Sequence, residues 1–483
     1  MTIGKRLITS VGWMFAGNCA EQIINFLVFV IIVRITGPEI YGLATMAIVF
    51  ILFAEFLARE TITVSIIKIK RLEDGHLDAA FWLLVTLSTV LFFLLIIFSE
   101  KIASLYSNPE IAHYLVWATP TVLVIGFSGI PLTLLKRNLE FRTLSLSAAF
   151  GVFIGGIAGI ALAIMDFGVW SFIGQRLTQI TVIYLLAWIT KPWMPGFRAK
   201  QKHFREVITF SSQVVGIRIT ELISTNSPLV IIGAFLGPTL LGQFATAWRL
   251  VEALLFLLIN PIQFVAQPAF ALLNRTKERV GDLLITITQT SSLMTFACFI
   301  GMAAISEATI EIMLGKEWLS ASKIHQILCL VGIYLAIERL QQSFMLALGH
   351  AKILFYLSFL EAILGIIAMI YLIDFGIVGI AAAFTARYYI FWPLRVIITS
   401  KYANFSITHY LKTFTLPLIN ALIMGYIVIV FQDLFLLNRS VFTTLIGSIL
   451  VGSVSYIFLL WLTMRNKNKK LIEDLQILWE GKS

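Results

Sequence analysis

The sequence predicts an all-α polytopic membrane protein of about fourteen transmembrane helices in two repeated lobes. Three observations carry this: composition, the spacing of apolar runs, and the distribution of positive charge. Apolar residues make up 59% of the chain, charged residues 13%, and mean hydropathy is +0.92. Soluble domains carry about 25% charge, so lipid must be the solvent for most of this surface.

A spanning helix needs about 20 mostly apolar residues to cross about 30 Å of hydrocarbon. Breaking the chain at charged, Gly/Pro and Asn/Asp clusters gives runs near 7–33, 41–67, 79–98, 112–134, 143–164 and 169–190. Eight more follow near 208–235, 241–269, 281–305, 322–348, 353–373, 376–398, 408–431 and 441–463. With a cytoplasmic N-terminus, 25 Lys and Arg fall inside and five outside (Arg34, Lys101, Lys316, Lys323 and Arg439). That bias predicts both termini inside, which requires an even number of spans. The net charge of +10 is then a topology signal and a contact for anionic membrane lipids, not a nucleic-acid footprint. A multi-pass membrane location with both termini on the cytoplasmic side is therefore expected. Lys5-Arg6 precedes an apolar run without a small-x-small cleavage site, so the first helix is expected to be retained.

The first lobe is read as 1–190, a basic cytoplasmic linker as 191–207, and the second lobe as 208–398. Two extra helices follow in 399–465, then a cytoplasmic amphipathic tail at 466–483 with Leu471, Leu475 and Leu478 on one face. Duplication rests on two echoes. Gly37-Pro38-x-x-x-Gly42 returns 200 residues later as Gly237-Pro238-x-x-x-Gly242, and Asp166-Phe167-Gly168-Val169 returns as Asp374-Phe375-Gly376-Ile377. The repeats lie six helices apart and so insert in the same orientation, which places the expected substrate site between the lobes.

Ionisable residues inside spans sharpen the functional reading. Arg59, Arg176, Arg218, Arg249, Arg339 and Arg387 lie within predicted helices, with Glu21, Glu55, Glu60, Glu221, Glu252, Glu338 and Glu361. At roughly 3 kcal/mol each, thirteen such groups facing lipid would cost on the order of 40 kcal/mol. They must face one another, the lobe interface or a water-filled cavity. Local neutralisation is one reading: Glu55/Arg59 sit at i,i+4, and Arg218/Glu221 and Arg249/Glu252 at i,i+3. Glu21, Glu361, Arg176 and Arg387 need a partner on another helix. Asn18, Glu21, Gln22 and Asn25 form one polar stripe on the first helix, and Arg218, Glu221 and Thr225 repeat it at offset 200. A stripe present in both lobes fits a shared hydrophilic cavity better than a helix–helix hydrogen-bond seam. Asn226-Ser227-Pro228 is expected to kink or unwind the seventh helix.

Several classes are excluded. No G-x-x-x-x-G-K-[ST] loop occurs, so ATP does not drive this chain directly. Cys19, Cys298 and Cys329 lie far apart in apolar runs, which argues against a disulfide framework or metal site. The six histidines are scattered and read as interfacial polar groups. No enzyme activity and no cofactor is expected.

The runs Arg34-x-x-Gly37-Pro38-x-x-x-Gly42, Leu134-Leu135-Lys136-Arg137-x-Leu139-x-Phe141 and Gly168-Val169-Trp170-Ser171 are similar to the Wzx-type polysaccharide transporters. These belong to the multidrug/oligosaccharidyl-lipid/polysaccharide (MOP) exporter superfamily, and the resemblance spans about residues 1–465. It implies a MATE-like V of two six-helix bundles, with the first, second, seventh and eighth helices lining a cavity. It also implies a bacterial cytoplasmic (inner) membrane location and flipping of undecaprenyl-pyrophosphate-linked oligosaccharides from the cytoplasmic to the periplasmic leaflet by alternating access. On that reading Asn18, Gln22, Asn25, Arg59, Arg218, Arg249, Arg339 and Arg387 are substrate-contact residues. Glu21, Glu55, Glu221, Glu252, Glu338 and Glu361 pair the arginines or couple transport to protons or sodium. Polysaccharide polymerase and export proteins are expected partners. A multidrug extruder or lipid II flippase of the same fold are the alternatives. A membrane polymerase or ligase is disfavoured because the longest outer loop, near 306–321, leaves no room for a catalytic segment.

Overall fold

The computed structural model describes residues 3–69, 71–276, 280–403, 405–436 and 439–480, and no strand occurs among them. The side chains of Glu60 and Arg218 lie outside the described residues, as does the apolar face expected at Leu471, Leu475 and Leu478. The chain forms two compact units: Met1–Ala245 with Met369–Ile377, and Thr246–Ala368 with Val378–Ser483.

The first unit begins with α1 (Ile3–Lys68), α2 (Asp74–Leu105), α3 (Glu110–Ala118) and α4 (Pro120–Arg137). It continues through α5 (Phe141–Ile164), α6 (Trp170–Thr190), α7 (Gln201–Leu236) and the start of α8 (Pro238–Leu258). Helix α1 is two helices joined at Gly37, whose φ of 79° and ψ of 173° break the helical path. Its apolar stretch Ala16–Arg59 holds 44 residues, about 66 Å of helix and therefore two membrane crossings. Thirteen apolar helices reach spanning length among the described residues; counting α1 twice recovers the fourteen expected runs.

The second unit contains the rest of α8, α9 (Asn260–Thr276), α10 (Val280–Ala304), α11 (Ser306–Leu314), α12 (Ala321–Ala347) and α13 (Ala351–Tyr371). It ends with α14 (Gly376–Ala403), α15 (Ile407–Phe431) and α16 (Val441–Glu480). The run expected over 241–269 is divided between α8 and α9. The break falls before Asn260-Pro261, where proline cannot supply the amide that a continuous helix needs. The break between α3 and α4 falls before Pro120 for the same reason. Pro228 does not unwind α7. Its missing amide frees the Ser224 carbonyl, which accepts the Ser227 hydroxyl at 3.3 Å, while Asn226 Nδ2 donates to Leu222 O at 2.9 Å.

Large apolar side chains stand out from both units, among them Ile97, Ile164, Val454 and Ile457, as a lipid-facing surface requires. Inside the first unit, Ile62, Ile66, Ile69, Leu77, Phe81, Leu84, Ile130 and Val207 pack one core. The linker between α6 and α7 is fixed to the start of α2. The fully buried Asp78 carboxylate accepts the Gly196 amide at 3.0 Å, the Arg198 amide at 3.1 Å and Arg198 Nε at 2.9 Å. Trp82 Nε1 donates to Gly196 O at 3.0 Å, and its ring stacks on Phe197. Arg198, outside the spans, is held above its ordinary pKa chiefly by the Asp78 hydrogen bond.

The duplicated Gly-Pro motif acquires a structural meaning. Gly237 has φ 86° and ψ 178°, nearly the values of Gly37, so both repeats make one kind of helix–Gly–Pro–helix corner. Within the first unit the corners interlock. A methyl group on Gly42 would overlap the Pro238 carbonyl, and one on Gly242 would overlap the Pro38 carbonyl. Glycine is required at both positions because backbone meets backbone.

Candidate functional site

The intramembrane charges sort into two kinds: buried structural pairs, and more open clusters in which two cations act on one carboxylate. The pairs account for residues that lacked a partner on their own helix. Arg176 on α6 grips Glu55 on α1 through two parallel hydrogen bonds, Nε to Oε1 at 3.1 Å and Nη2 to Oε2. Glu55 therefore pairs across helices, not with Arg59 one turn away. On α14, Arg395 donates Nη1 to Glu338 of α12 at 2.8 Å and Nη2 to Glu361 of α13 at 2.6 Å. All three are buried, so Arg395 is no inner-end charge, as counting along the sequence had it. Arg387, one helix face away, is 2% exposed. Its guanidinium lies 4.2 Å from the Phe384 ring and 4.5 Å from the Tyr388 ring and donates to Tyr388 Oη at 2.8 Å. Gly365 makes room for it, since a methyl group there would overlap its side chain. In this conformation Glu55, Glu338, Glu361 and Arg387 hold helices together and do not reach solvent.

The open clusters are differently built. In the first unit, Asn18 and Gln22 of α1 are exposed while Glu21 and Asn25 are half-buried. Arg59 and Lys136 act electrostatically on Glu21, and both cations are exposed. Glu221 on α7 is also exposed. In the second unit, Arg249 and Arg339 act on Glu252, which also bonds to Trp248. Arg339 Nη1 donates to Asn260 Oδ1 at 3.3 Å, and Gln263 Nε2 donates to the Arg339 carbonyl at 2.9 Å and to Ser343 Oγ at 3.2 Å. In each unit, then, two cations act electrostatically on one glutamate. Sequence reasoning found Glu21, Arg59, Arg249, Glu252 and Arg339. It missed Lys136, read as a topology charge, and Asn260 and Gln263, which carry no periodic signal.

The sequence profile of a family described as polysaccharide biosynthesis protein matches residues 31–323. The chain belongs to that family. Among its relatives is the succinoglycan biosynthesis transport protein ExoT of Rhizobium meliloti (strain 1021), 23% identical over 98% of this chain and 96% of ExoT. Another is the lipopolysaccharide biosynthesis protein WzxC of Escherichia coli (strain K12), 21% identical over 77% of this chain and 76% of WzxC. The lipid II flippase MurJ in an inward closed conformation has the same fold. Its TM-score is 0.78, with 17% identity, over 95% of this chain and 99% of MurJ. Family and fold make this chain a multi-pass helical membrane protein of a polysaccharide biosynthesis family, in keeping with the Wzx-type resemblance.

Proposed function

We propose that this protein flips a polyprenyl-pyrophosphate-linked oligosaccharide repeat unit from the cytoplasmic to the periplasmic leaflet by alternating access. The observation that carries the reading is the paired build of the open clusters: Glu21 with Arg59 and Lys136, and Glu252 with Arg249 and Arg339. A pyrophosphate diester brings two negative charges and a set of acceptor oxygens. Guanidinium groups match those oxygens two at a time, while Lys136 adds a point charge. In the empty protein each glutamate offsets part of the cationic charge; substrate phosphate displaces it. Glu21 and Glu252 are then the carboxylates that exchange partners during the cycle, and the ones available for proton or sodium coupling.

A multidrug extruder for cationic compounds is less well served. Such a substrate needs carboxylates free of competing cations, and here Glu21 and Glu252 each have two cations acting on them. The deciding experiment is deletion of the gene with assay of lipid-linked oligosaccharide in inner-membrane extracts. Accumulation of a complete repeat unit on its polyprenyl carrier, with loss of surface polymer, supports flipping. Normal levels of both, with new sensitivity to cationic dyes, would favour the extruder.

A further inference from the structure

A concave site lies within the second unit, and none of the charged-cluster residues lines it. Its cavity volume is about 840 Å³, within the range of roughly 300–1,000 Å³ typical of small-ligand sites. Helices α10, α11, α12, α15 and α16 wall it. Ile300, Ile333, Leu422 and Ile429 supply an apolar interior. The polar groups gather at one end: Glu307 and Glu311 from α11, Gln326 from α12, and Arg439 just before α16. Glu307 and Glu311 are spaced i,i+4 and share a helix face. No ion pair involves Glu307, Glu311 or Arg439 among the described residues.

The rim is also distorted. Helix α15 runs into a π-helical turn over Gln432–Leu436, a rare conformation that is frequent at functional sites. Gln432 within it donates to Ser448 Oγ of α16 at 2.9 Å, which holds the two helices in register beside the opening. Tyr426, exposed on the same wall, is the amphipathic type that settles at a membrane interface.

We propose that this cleft binds one zwitterionic phospholipid whose headgroup carries a primary amine, of the ethanolamine type. The chemistry is specific. An ammonium donates up to three hydrogen bonds, which two neighbouring carboxylates accept. The adjoining phosphodiester takes Arg439 and the Gln326 amide, and an acyl chain fills the apolar interior. A glycerol headgroup would bring net negative charge against Glu307 and Glu311 without an ammonium to offset it. A choline headgroup has no N–H to donate. On the orientation predicted by the charge bias, the polar end opens to the outer leaflet. The proposal does not depend on what the protein transports.

The test is lipid retention. The full chain is reconstituted in nanodiscs containing equal parts ethanolamine, glycerol and choline phospholipids with matched acyl chains, then released into detergent for native mass spectrometry. The wild-type protein should retain about one lipid, of the ethanolamine type, and E307Q/E311Q should lower that retention roughly tenfold. R439Q should weaken retention without favouring the glycerol lipid. A cleft-filling Ala304→Trp, where a half-buried alanine lines the cavity, should abolish retention with an unchanged melting temperature. Retention in bilayer proportion, or no change in E307Q/E311Q and A304W, would overturn the proposal. So would a polyprenyl lipid held in the same cleft and released by A304W. Accumulation of lipid-linked oligosaccharide in the deletion strain tests transport separately.

Discussion

His76 and His203 face each other across the start of α2 and α7 with ring centroids 4.4 Å apart, and each is held by the same pair of bonds. Nδ1 of His76 accepts the Glu73 amide at 3.2 Å, and Nδ1 of His203 accepts the Lys200 amide at 3.1 Å. Each ring therefore caps its own helix, and the hydrogen of the neutral ring sits on Nε2. His76 Nε2 then donates to Glu206 at 2.8 Å and His203 Nε2 to Glu73 at 3.1 Å.

Glu73, His76 and His203 have donor atoms within 4.8 Å of one another, which invites a metal. The tautomer argues otherwise, because the Nε2 lone pairs a metal would need are occupied by hydrogen. Zinc or a chelator is expected to leave the melting temperature unchanged. H76A or H203A, which removes a cap and a cross-helix bond, is expected to cost about 1–3 kcal/mol by denaturant or thermal unfolding. Chelator-sensitive unfolding would reverse this reading.

The contacts around the α6–α7 linker carry a pH signature. His76 holds the Glu206 carboxyl below its ordinary value of 4.5, and Lys191, 2.8 Å from Glu140, does the same for that residue. A carboxyl depressed by folding stabilises above its unfolded pKa, and that contribution fades as pH falls through the folded value. Both sites should be at full strength at neutral pH and weaken below about pH 4.5. Melting curves should separate wild type from E140Q at about pH 7 and bring them together near about pH 3.

The Arg395–Glu338–Glu361 group makes an asymmetric prediction. R395M alone leaves two buried carboxylates without their cation and should cost roughly 3–5 kcal/mol, seen as lost expression or a sharply lower melting temperature. R395M/E338Q/E361Q should recover much of that loss, because no uncompensated charge remains. Failure of the triple variant to recover would mean that the charges serve more than packing.

Substituting the charged clusters separates binding from architecture. R249Q and R339Q should reduce surface polymer in a complementation assay while membrane levels hold. R176Q should instead lower the membrane level, because it strips Glu55 of its partner. Full polymer production by R249Q/R339Q would remove the phosphate-contact role.

The spans were legible because about twenty apolar residues in a row have one stable fate in lipid. The Gly-Pro echo was legible as a repeat. Its interlocking was not, since sequence spacing says nothing about which backbones touch. The same gap explains the ion pairs. Local spacing offered Arg59 to Glu55, but a residue 121 positions away on α6 takes it. Arg395 lies near the expected end of its span, at 398, and was counted with the inner charges; α14 continues to Ala403 and carries it among buried helices. Lys136 ends a hydrophobic run and reads as a topology charge, yet folding brings it into the field of Glu21.

The two corners act as each other's gauge. Gly42 is fitted against the Pro238 backbone and Gly242 against the Pro38 backbone. A side chain gained at either glycine is a collision for both corners, so neither position can change without the other moving.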